Sequence, residues 1–322
     1  MSETSANSST PSKASAGSRP GRLGVGIISA GRVGAVLGSA LRAVDHQVIG
    51  VHAVSEASRE RAEALLPGVP VLDVEEIVER AELVMLAVPD DALATLVKGL
   101  ADLGRWQPGQ LVVHTSGRYG IGILEPARRL GAIPLALHPA MTFGGFSTDV
   151  ARLTGCPMAV TAPDAVLPIA QALAVELGGE PFVLAEDARP AYHAALAHGA
   201  NHLVTLVDQA VRILTAAGVE GGAATLGPLL GAALDRALTE DADSVLTGLT
   251  GPVSRGDAGT VGSHIEALEA LSDDGGRRLD DVVDTYRALA RATTRRAEDT
   301  GRITSAQAGE LRAALAPDDD AE

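Results

Sequence analysis

The sequence contains a single cysteine, Cys156, in 322 residues. That leaves no intrachain disulfide framework and no cysteine-based metal centre, and it fits a reducing, cytoplasmic compartment. Aromatics are nearly as scarce, with one Trp, three Tyr and three Phe. Acidic residues outnumber basic ones by 41 to 26, for a net charge of −15. No basic stripe interleaved with aromatics is present, which argues against a nucleic-acid partner and leaves small molecules as the expected ligands. Long apolar runs are missing too. The most membrane-like stretch, residues 190–207, holds three histidines and an asparagine among its alanines, so a buried helix is expected there and no membrane span. Residues 1–21 are rich in Ser and Thr without an apolar core, and are expected to be a disordered tail rather than a signal peptide. Residues 317–322, PDDDAE, read as an acidic tail.

The length exceeds the roughly 250–300 residues at which a single core stops growing, so two domains are expected. From residue 22 short apolar runs alternate with amphipathic stretches. LGVGII (23–28), QVIGVHAV (47–54), LVMLAV (83–88), QLVVHT (110–115) and PLALH (134–138) read as buried parallel strands. PMAVTA (157–162) and PFVLAE (181–186) enclose a helix and extend the sheet. The expectation is an α/β, doubly wound parallel sheet over 22–187, followed by an all-α domain over 188–316, where the period turns helical and glycines punctuate.

The first strand runs into SAGRVGAVLG (29–38). Against G-x-G-x-x-G this sets Ser29, Gly31 and Gly34 in register, so the first glycine is a serine. Gly31 lets the backbone approach a pyrophosphate, Gly34 lets the helix pack on the strand, and the helix N-terminus offers oriented N–H groups. Strand before and helix after are the context that this motif requires. Ser29, Ala30, Gly31, Arg32, Val33 and Gly34 are therefore the expected dinucleotide turn, with a strained backbone at Ser29. No acid sits at the tip of the second strand to hold a free ribose hydroxyl pair. Ser55, Ser58 and Arg59, with Arg32, suit a 2′-phosphate and so favour NADP over NAD, although either arginine alone also reads as a solvated helix residue. The run ending in VPDD (88–91) brings Val88 and Pro89 beside the nicotinamide ribose, with Asp90 or Asp91 expected to cap the next helix.

The segments GIISAGRVG, AVPDDAL, HTSG (114–117), LHPAMTF (137–143), AYHAALAHGANHLVTL (191–206) and LTGPVSRGD (249–257) together resemble a bacterial oxidoreductase family. Its members pair a Rossmann-like domain with a helical C-terminal domain of unknown function. It belongs with the 6-phosphogluconate dehydrogenase-like group, which includes ketopantoate reductases, pyrroline-carboxylate reductases and deazaflavin-dependent NADP oxidoreductases. The resemblance spans about 22–300. It implies NADP as cofactor, with NAD or a deazaflavin partner as alternatives, ketopantoate as the substrate guess, and pairing of two copies through the alanine-rich helical domain. The broader group carries Lys-x-x-x-Asn facing the nicotinamide. Here Asn201 falls on the asparagine and Ala197 on the lysine, so the usual proton donor is missing and a histidine must replace it.

Five of the eight histidines lie in these segments. His138 is held extended by Pro139 at the end of a strand, where ligands bind in such sheets. His114 precedes the small turn Thr115-Ser116-Gly117, and His193 lies on the helix that carries Asn201. Histidine, with an unperturbed pKa near 6.5, suits acid–base work at neutral pH. His198 and His202 read as core or interface residues, and no metal site is expected. Arg255, in the glycine-bounded loop GPVSRGD, could grip a substrate carboxylate through paired donors. It reads equally as a turn residue pairing locally with Asp257, an N-cap. The sequence thus predicts an NADP-dependent reductase of a small 2-oxo acid, with ketopantoate reduced to pantoate for pantothenate synthesis. His138, His193 or His114 would supply the proton, Asn201 and Ser116 would hold the oxygen, and Arg255 the carboxylate. The alternative is a non-catalytic NADP-binding sensor or assembly protein.

Overall fold

The computed structural model describes residues 22–239, 249–273 and 279–316. The two tails expected at 1–21 and 317–322 lie outside the described residues. The chain divides into two compact units, one up to Leu196 and one from Ala197. The sequence places this division near residue 187. It falls later because the helix after 188 is tied into the first unit by Arg189, whose bonds are given below.

The first unit is built on a seven-stranded sheet, among the described residues: β1 (Gly24–Ile28), β2 (Gln47–His52), β3 (Leu83–Leu86), β4 (Leu111–His114), β5 (Ile133–Pro139), β6 (Pro157–Thr161) and β7 (Glu180–Val183). The order is β2-β1-β3-β4-β5-β6-β7. β1 to β5 are all parallel. β6 runs antiparallel to β5 and β7 parallel to β6. The reversal at β6 follows from its connection: the chain leaves β5 and re-enters the sheet at the same edge, where Ala140 N–H donates to the Pro157 carbonyl at 2.8 Å. Antiparallel neighbours need no crossover.

Helices α1 (Arg32–Ala43), α2 (Glu56–Leu65), α3 (Val74–Arg80), α4 (Asp90–Asp102), α5 (Glu125–Arg128), α6 (Ser147–Arg152) and α7 (Leu167–Glu176) cover the sheet. Strands buried on both faces read as continuous apolar runs, and LVML in β3 is buried at every position. Val25, Ile27, Leu83, Met85 and Val113 pack with α1 and α7 on one face. Ile28, Val84, Leu86 and Val112 pack with α3, α4 and Trp106 on the other. Each such Val, Leu or Ile contributes roughly 1.5–3 kcal/mol on burial. A third strand outside β2 is reduced to one bridge, Val51 to Val71. The winding reverses between β1 and β3, so the ligand crevice of the sheet opens at the carboxyl ends of those strands.

α8 (Arg189–Leu196) closes the first unit. The second unit opens with a π-helical turn, Ala197–Asn201, and then contains α9 (His202–Ala216), α10 (Gly222–Thr239), α11 (Pro252–Arg255), α12 (Ala258–Asp273), α13 (Asp280–Asp299) and α14 (Ser305–Ala314). It is all-helical among the described residues. Its core is Val261, Ile265, Ala290, Ala297, Ile303 and Leu311, joined by Leu268, Leu279, Val282 and Val283. The single buried helix expected over 190–207 is corrected in two ways. A π turn interrupts it, and most of its residues are exposed, Val204 to 71%. The extra residue of a π turn shifts the helix face, and such turns gather at functional sites. No helix of the described residues is long and apolar enough to cross a membrane.

Candidate functional site

The turn after β1 has the geometry its sequence requires. Ser29 stands at φ +82°, in the left-handed region where the family motif has glycine. A Cβ on Gly34 would lie 2.1 Å from the Ser29 carbonyl oxygen and 2.9 Å from the Ala87 Cβ, so only glycine lets α1 pack on β1 here. Gly31 is the N-cap of α1, in extended conformation, and no side chain caps the helix or places an acid in its first turn. The orphan N–H groups of that turn, beginning at Arg32 and Val33, are left for an external anion. Ala30 is buried, and its N–H donates to the His52 carbonyl at 2.8 Å.

At the tip of β2, Ser55 is the N-cap of α2 and accepts from the Ser58 N–H. Arg59 is exposed on that helix. The arginine that reaches the glycine turn is Arg61, which the sequence reading missed: its Nη1 donates to the Ala30 carbonyl at 3.1 Å. A Cβ on Gly145 would meet Arg61 Nε at 2.7 Å and Arg32 Cγ at 3.1 Å, so two guanidinium side chains approach one loop. Arg61 lies two positions after Arg59 on the helix, a rotation of about 200°, which is why one faces solvent and the other the turn. At the end of β3, Val88 is half-buried and Pro89 is the N-cap of α4. The expected capping by aspartate is corrected: Asp90 and Asp91 sit in the first turn of α4, and no side chain caps it. There they still complement the helix dipole.

A cavity of about 280 Å³ lies beside the glycine turn, lined by Arg32, Val33, Thr115, His138, Pro139, Met141 and Phe143. The carboxyl ends of the parallel strands thus bring α1 and His138 to one hollow. His138 Nδ1 shares a hydrogen bond of 2.9 Å with the Tyr192 hydroxyl, the two rings meeting edge to face at 5.6 Å. His193 packs edge to face on His138 at 6.2 Å. A Cβ at Gly117 would stand 2.7 Å from His193 Nδ1 and 2.9 Å from His138 Nε2, so both nitrogens converge on a position that must be glycine. His193 Nδ1 is buried without a hydrogen-bond partner among the described residues. Burial, then the Arg189 cation and the neighbouring His193, push the His138 pKa down to about 4 against a weaker pull from Asp90, so its ring is neutral at pH 7.

Arg189 is the largest fully buried side chain of the described residues. Its Nε donates to Thr161 Oγ1 at 2.8 Å, Nη1 to the Ser116 carbonyl at 2.9 Å, and Nη2 to the carbonyls of Ala136 and Ala159 at 3.0 and 3.3 Å. No carboxylate bonds to it among the described residues. Burial lowers its pKa to about 10, so it stays charged at neutral pH. One cation thereby ties β5, β6 and the 115–117 turn to α8. Arg189, Tyr192 and His193 are spaced i, i+3, i+4 and share one helix face.

His114 is fully buried, unlike the cleft-facing ring that the sequence suggests. Its Nε2 lies 2.8 Å from the Gly120 carbonyl and its Nδ1 accepts from the Ser116 N–H at 3.2 Å, so both nitrogens are spent on the 116–120 loop. Burial pushes its pKa down to about 4. Ser116 is buried as well, and its Oγ accepts from the N–H groups of Arg118 and Tyr119 at 3.2 Å.

In the second unit, Asn201 ends the π turn and is exposed. His198 and His202 are exposed, with their Nδ1 atoms 3.1 Å apart. No cluster of three metal-ligating residues occurs among the described residues. Asp257 precedes α12 and accepts from the Thr260 N–H and hydroxyl at 3.0 and 2.7 Å, the N-cap role expected as one of two readings. Arg255 is exposed, and its guanidinium has no ion pair among the described residues.

Residues 8–139 match the family model of the Rossmann-like domain, and residues 156–293 match the model described as Domain of unknown function DUF2520. The chain joins a Rossmann-like domain to a DUF2520 domain. No curated protein matches the sequence. Among solved structures, it resembles a candidate NADP oxidoreductase from Bacteroides fragilis at 20% identity and TM-score 0.69, covering 85% of this chain and 98% of that one. Protein TM1727 from Thermotoga maritima is similar at 22% identity and TM-score 0.59, over 87% of this chain and 100% of that one. A pyrroline carboxylate reductase from Plasmodium falciparum, with NADP bound, is similar at 12% identity and TM-score 0.53, over 87% and 98%. These likenesses establish the shared fold.

Proposed function

We propose that the protein is an NADP-dependent oxidoreductase that reduces the C=O or C=N bond of a small molecule. The observation that carries this reading is the single hollow in which the uncapped N-terminus of α1 and the ring of His138 meet. Gly31, Arg32, Val33 and Gly34 would hold the pyrophosphate. Arg32 and Arg61, with Ser55 and Arg59 on α2, would hold the 2′-phosphate, a preference for NADP supported by the lack of an acid at the tip of β2. Val88 and Pro89 would flank the ribose. When bound, reduced nicotinamide supplies a hydride. A deazaflavin remains an alternative exchange partner.

His138 would give the proton to the substrate heteroatom. His193, whose Nδ1 lacks a partner, would hydrogen-bond the ligand. His114 and Ser116 would act by shaping the 115–120 loop, and Asn201 and Arg255 would hold substrate oxygen and carboxylate. Small 2-oxo acids are the proposed substrates, ketopantoate first, with cyclic imines next, since imine and pyrroline carboxylate reductases share the fold. The single buried Cys156 suits the cytoplasm. The protein is further proposed to act as a homodimer through its helical domain.

The experiment is NADPH consumption with ketopantoate and then with a panel of 2-oxo acids and cyclic imines. Turnover should fall roughly 10²- to 10⁴-fold in His138→Asn, the range for a lost acid–base group, with NADPH affinity nearly unchanged. Ala197 in place of lysine favours a second reading, a sensor that binds NADP without turnover. NADPH binding by calorimetry with no reduction of any panel member would select it.

A further inference from the structure

The reductase reading leaves a difficulty at His138. An imidazolium is disfavoured there, because the ring is buried beside the Arg189 cation. A neutral imidazole that merely released its Nε2 proton would be left as an imidazolate, which is far too basic to form at neutral pH. The ring can deliver a proton only if its other nitrogen receives one in the same event. The group in place to supply it is the Tyr192 hydroxyl, 2.9 Å from Nδ1.

Resting on the reductase reading, we propose that Tyr192 and His138 form a proton relay to the substrate, and that buried Arg189 is its fixed counter-charge. Nε2–H of His138 gives its proton to the carbonyl oxygen or imine nitrogen as the hydride arrives at the adjacent carbon. The Nε2–H bond breaks, an N–H bond forms at Nδ1 with the Tyr192 proton, and the O–H electron pair stays on the tyrosine as phenolate. His138 thus passes from one neutral tautomer to the other and never carries charge. The two reducing electrons come with the hydride. After the product leaves, a solvent proton returns to Nε2 from the hollow and the Nδ1 proton goes back to the phenolate, which restores the resting tautomer.

Three features of the fold support this arrangement. Arg189 precedes Tyr192 by one helical turn on the same face and is hydrogen-bonded to neutral acceptors only; Glu186 and Tyr192 act on it through space without bonding to it, so its charge is free to stabilise a phenolate at Tyr192. Burial raises the Tyr192 pKa while Arg189 works against the rise, so the guanidinium favours the phenolate. Gly117 leaves the Nε2 edge of His138 without a side chain in front of it, and the ring lines the hollow beside the glycine turn. Tyr192 acts through His138 and is therefore a positioning and relay residue, with His138 the group at the substrate.

The first test reads the ring itself. ¹⁵N NMR of histidine-labelled protein at pH 7 should show His138 neutral with its proton on Nε2, and Tyr192→Phe, which keeps the ring packing, should release that preference into a mixture of tautomers. A resting Nδ1–H tautomer would overturn the relay without any assay of activity. In turnover with NADPH and the most active member of the panel, Tyr192→Phe should lower kcat by roughly 10²-fold or more with KM and NADPH affinity little changed. Full turnover in Tyr192→Phe would overturn the relay and leave the reductase reading standing. No turnover by the wild type with any panel member would overturn the reductase reading, and the relay with it, even if the Nε2–H tautomer were found.

Discussion

Ser29 holds a backbone conformation that suits glycine, at φ +82°. A left-handed conformation costs a residue with a Cβ roughly 1–2 kcal/mol, while glycine adds back about 0.5–1 kcal/mol of unfolded-chain entropy. Ser29→Gly should therefore stabilise the protein by up to about 1 kcal/mol, seen as a melting temperature higher by roughly 2–4 °C. A fall would mean that the hydroxyl contributes more than the strain removes. This position was legible in the sequence because the constraint is local: a turn of fixed shape, read off four residues. Gly34 was legible for the same reason. Arg189 and Tyr192 were not. An arginine after Glu186 and Asp187 reads as solvated, and nothing along the chain shows that carbonyls of Ser116, Ala136 and Ala159 will surround it. The spacing of Arg189, Tyr192 and His193 on one helix face is the one signal the sequence offers for them. Arg61 was not legible either, because only the placed turn of α2 aims it, and not Arg59, at the Ala30 carbonyl.

Elements were more legible than side chains. Continuous apolar runs marked the parallel strands, because strands buried on both faces have no polar side to show. The antiparallel direction of β6 was not legible, since an apolar run carries no sign of its direction. Residues 190–207 show a further limit: their alanine-rich, weakly polar text reads as buried, yet Val204 and Leu206 at the start of α9 are exposed, as are Leu229, Leu234 and Leu238 of α10. Scattered exposed apolar residues are ordinary on a monomer. Five on two helices that pack together are more than scatter, and they support the proposed homodimer. Light scattering should give about twice the 32.8 kDa of the chain. Leu229→Glu with Leu238→Glu should halve that mass at micromolar concentration while circular dichroism stays helical. An unchanged dimer would move the interface elsewhere, and a wild-type monomer would remove it.

For the whole molecule, acid pulls in two directions. Protonating carboxylates relieves the self-repulsion of a chain with net charge −15, an effect that salt screens beyond about 8 Å at physiological ionic strength. Against it stand two buried neutral histidines. His114 and His138 have folded pKa values of about 4, below the ordinary 6.5 of an unfolded histidine. Between these values the unfolded chain binds protons that the folded protein refuses, so stability falls as the pH drops from 6.5 to 4, and is fully present above 6.5. Each histidine contributes up to about 3 kcal/mol to that slope, which exceeds a screened surface repulsion. The melting temperature in 0.15 M salt should therefore hold steady above pH 6.5 and fall towards pH 4 by up to roughly 12–24 °C, at roughly 2–4 °C per kcal/mol. His138→Asn, which removes one of the two titrating rings, should lose about half of the slope. A flat profile from pH 6.5 to 4 would mean that the folded protein takes up these protons as readily as the unfolded chain, and that the rings around Arg189 are far better solvated than their packing implies.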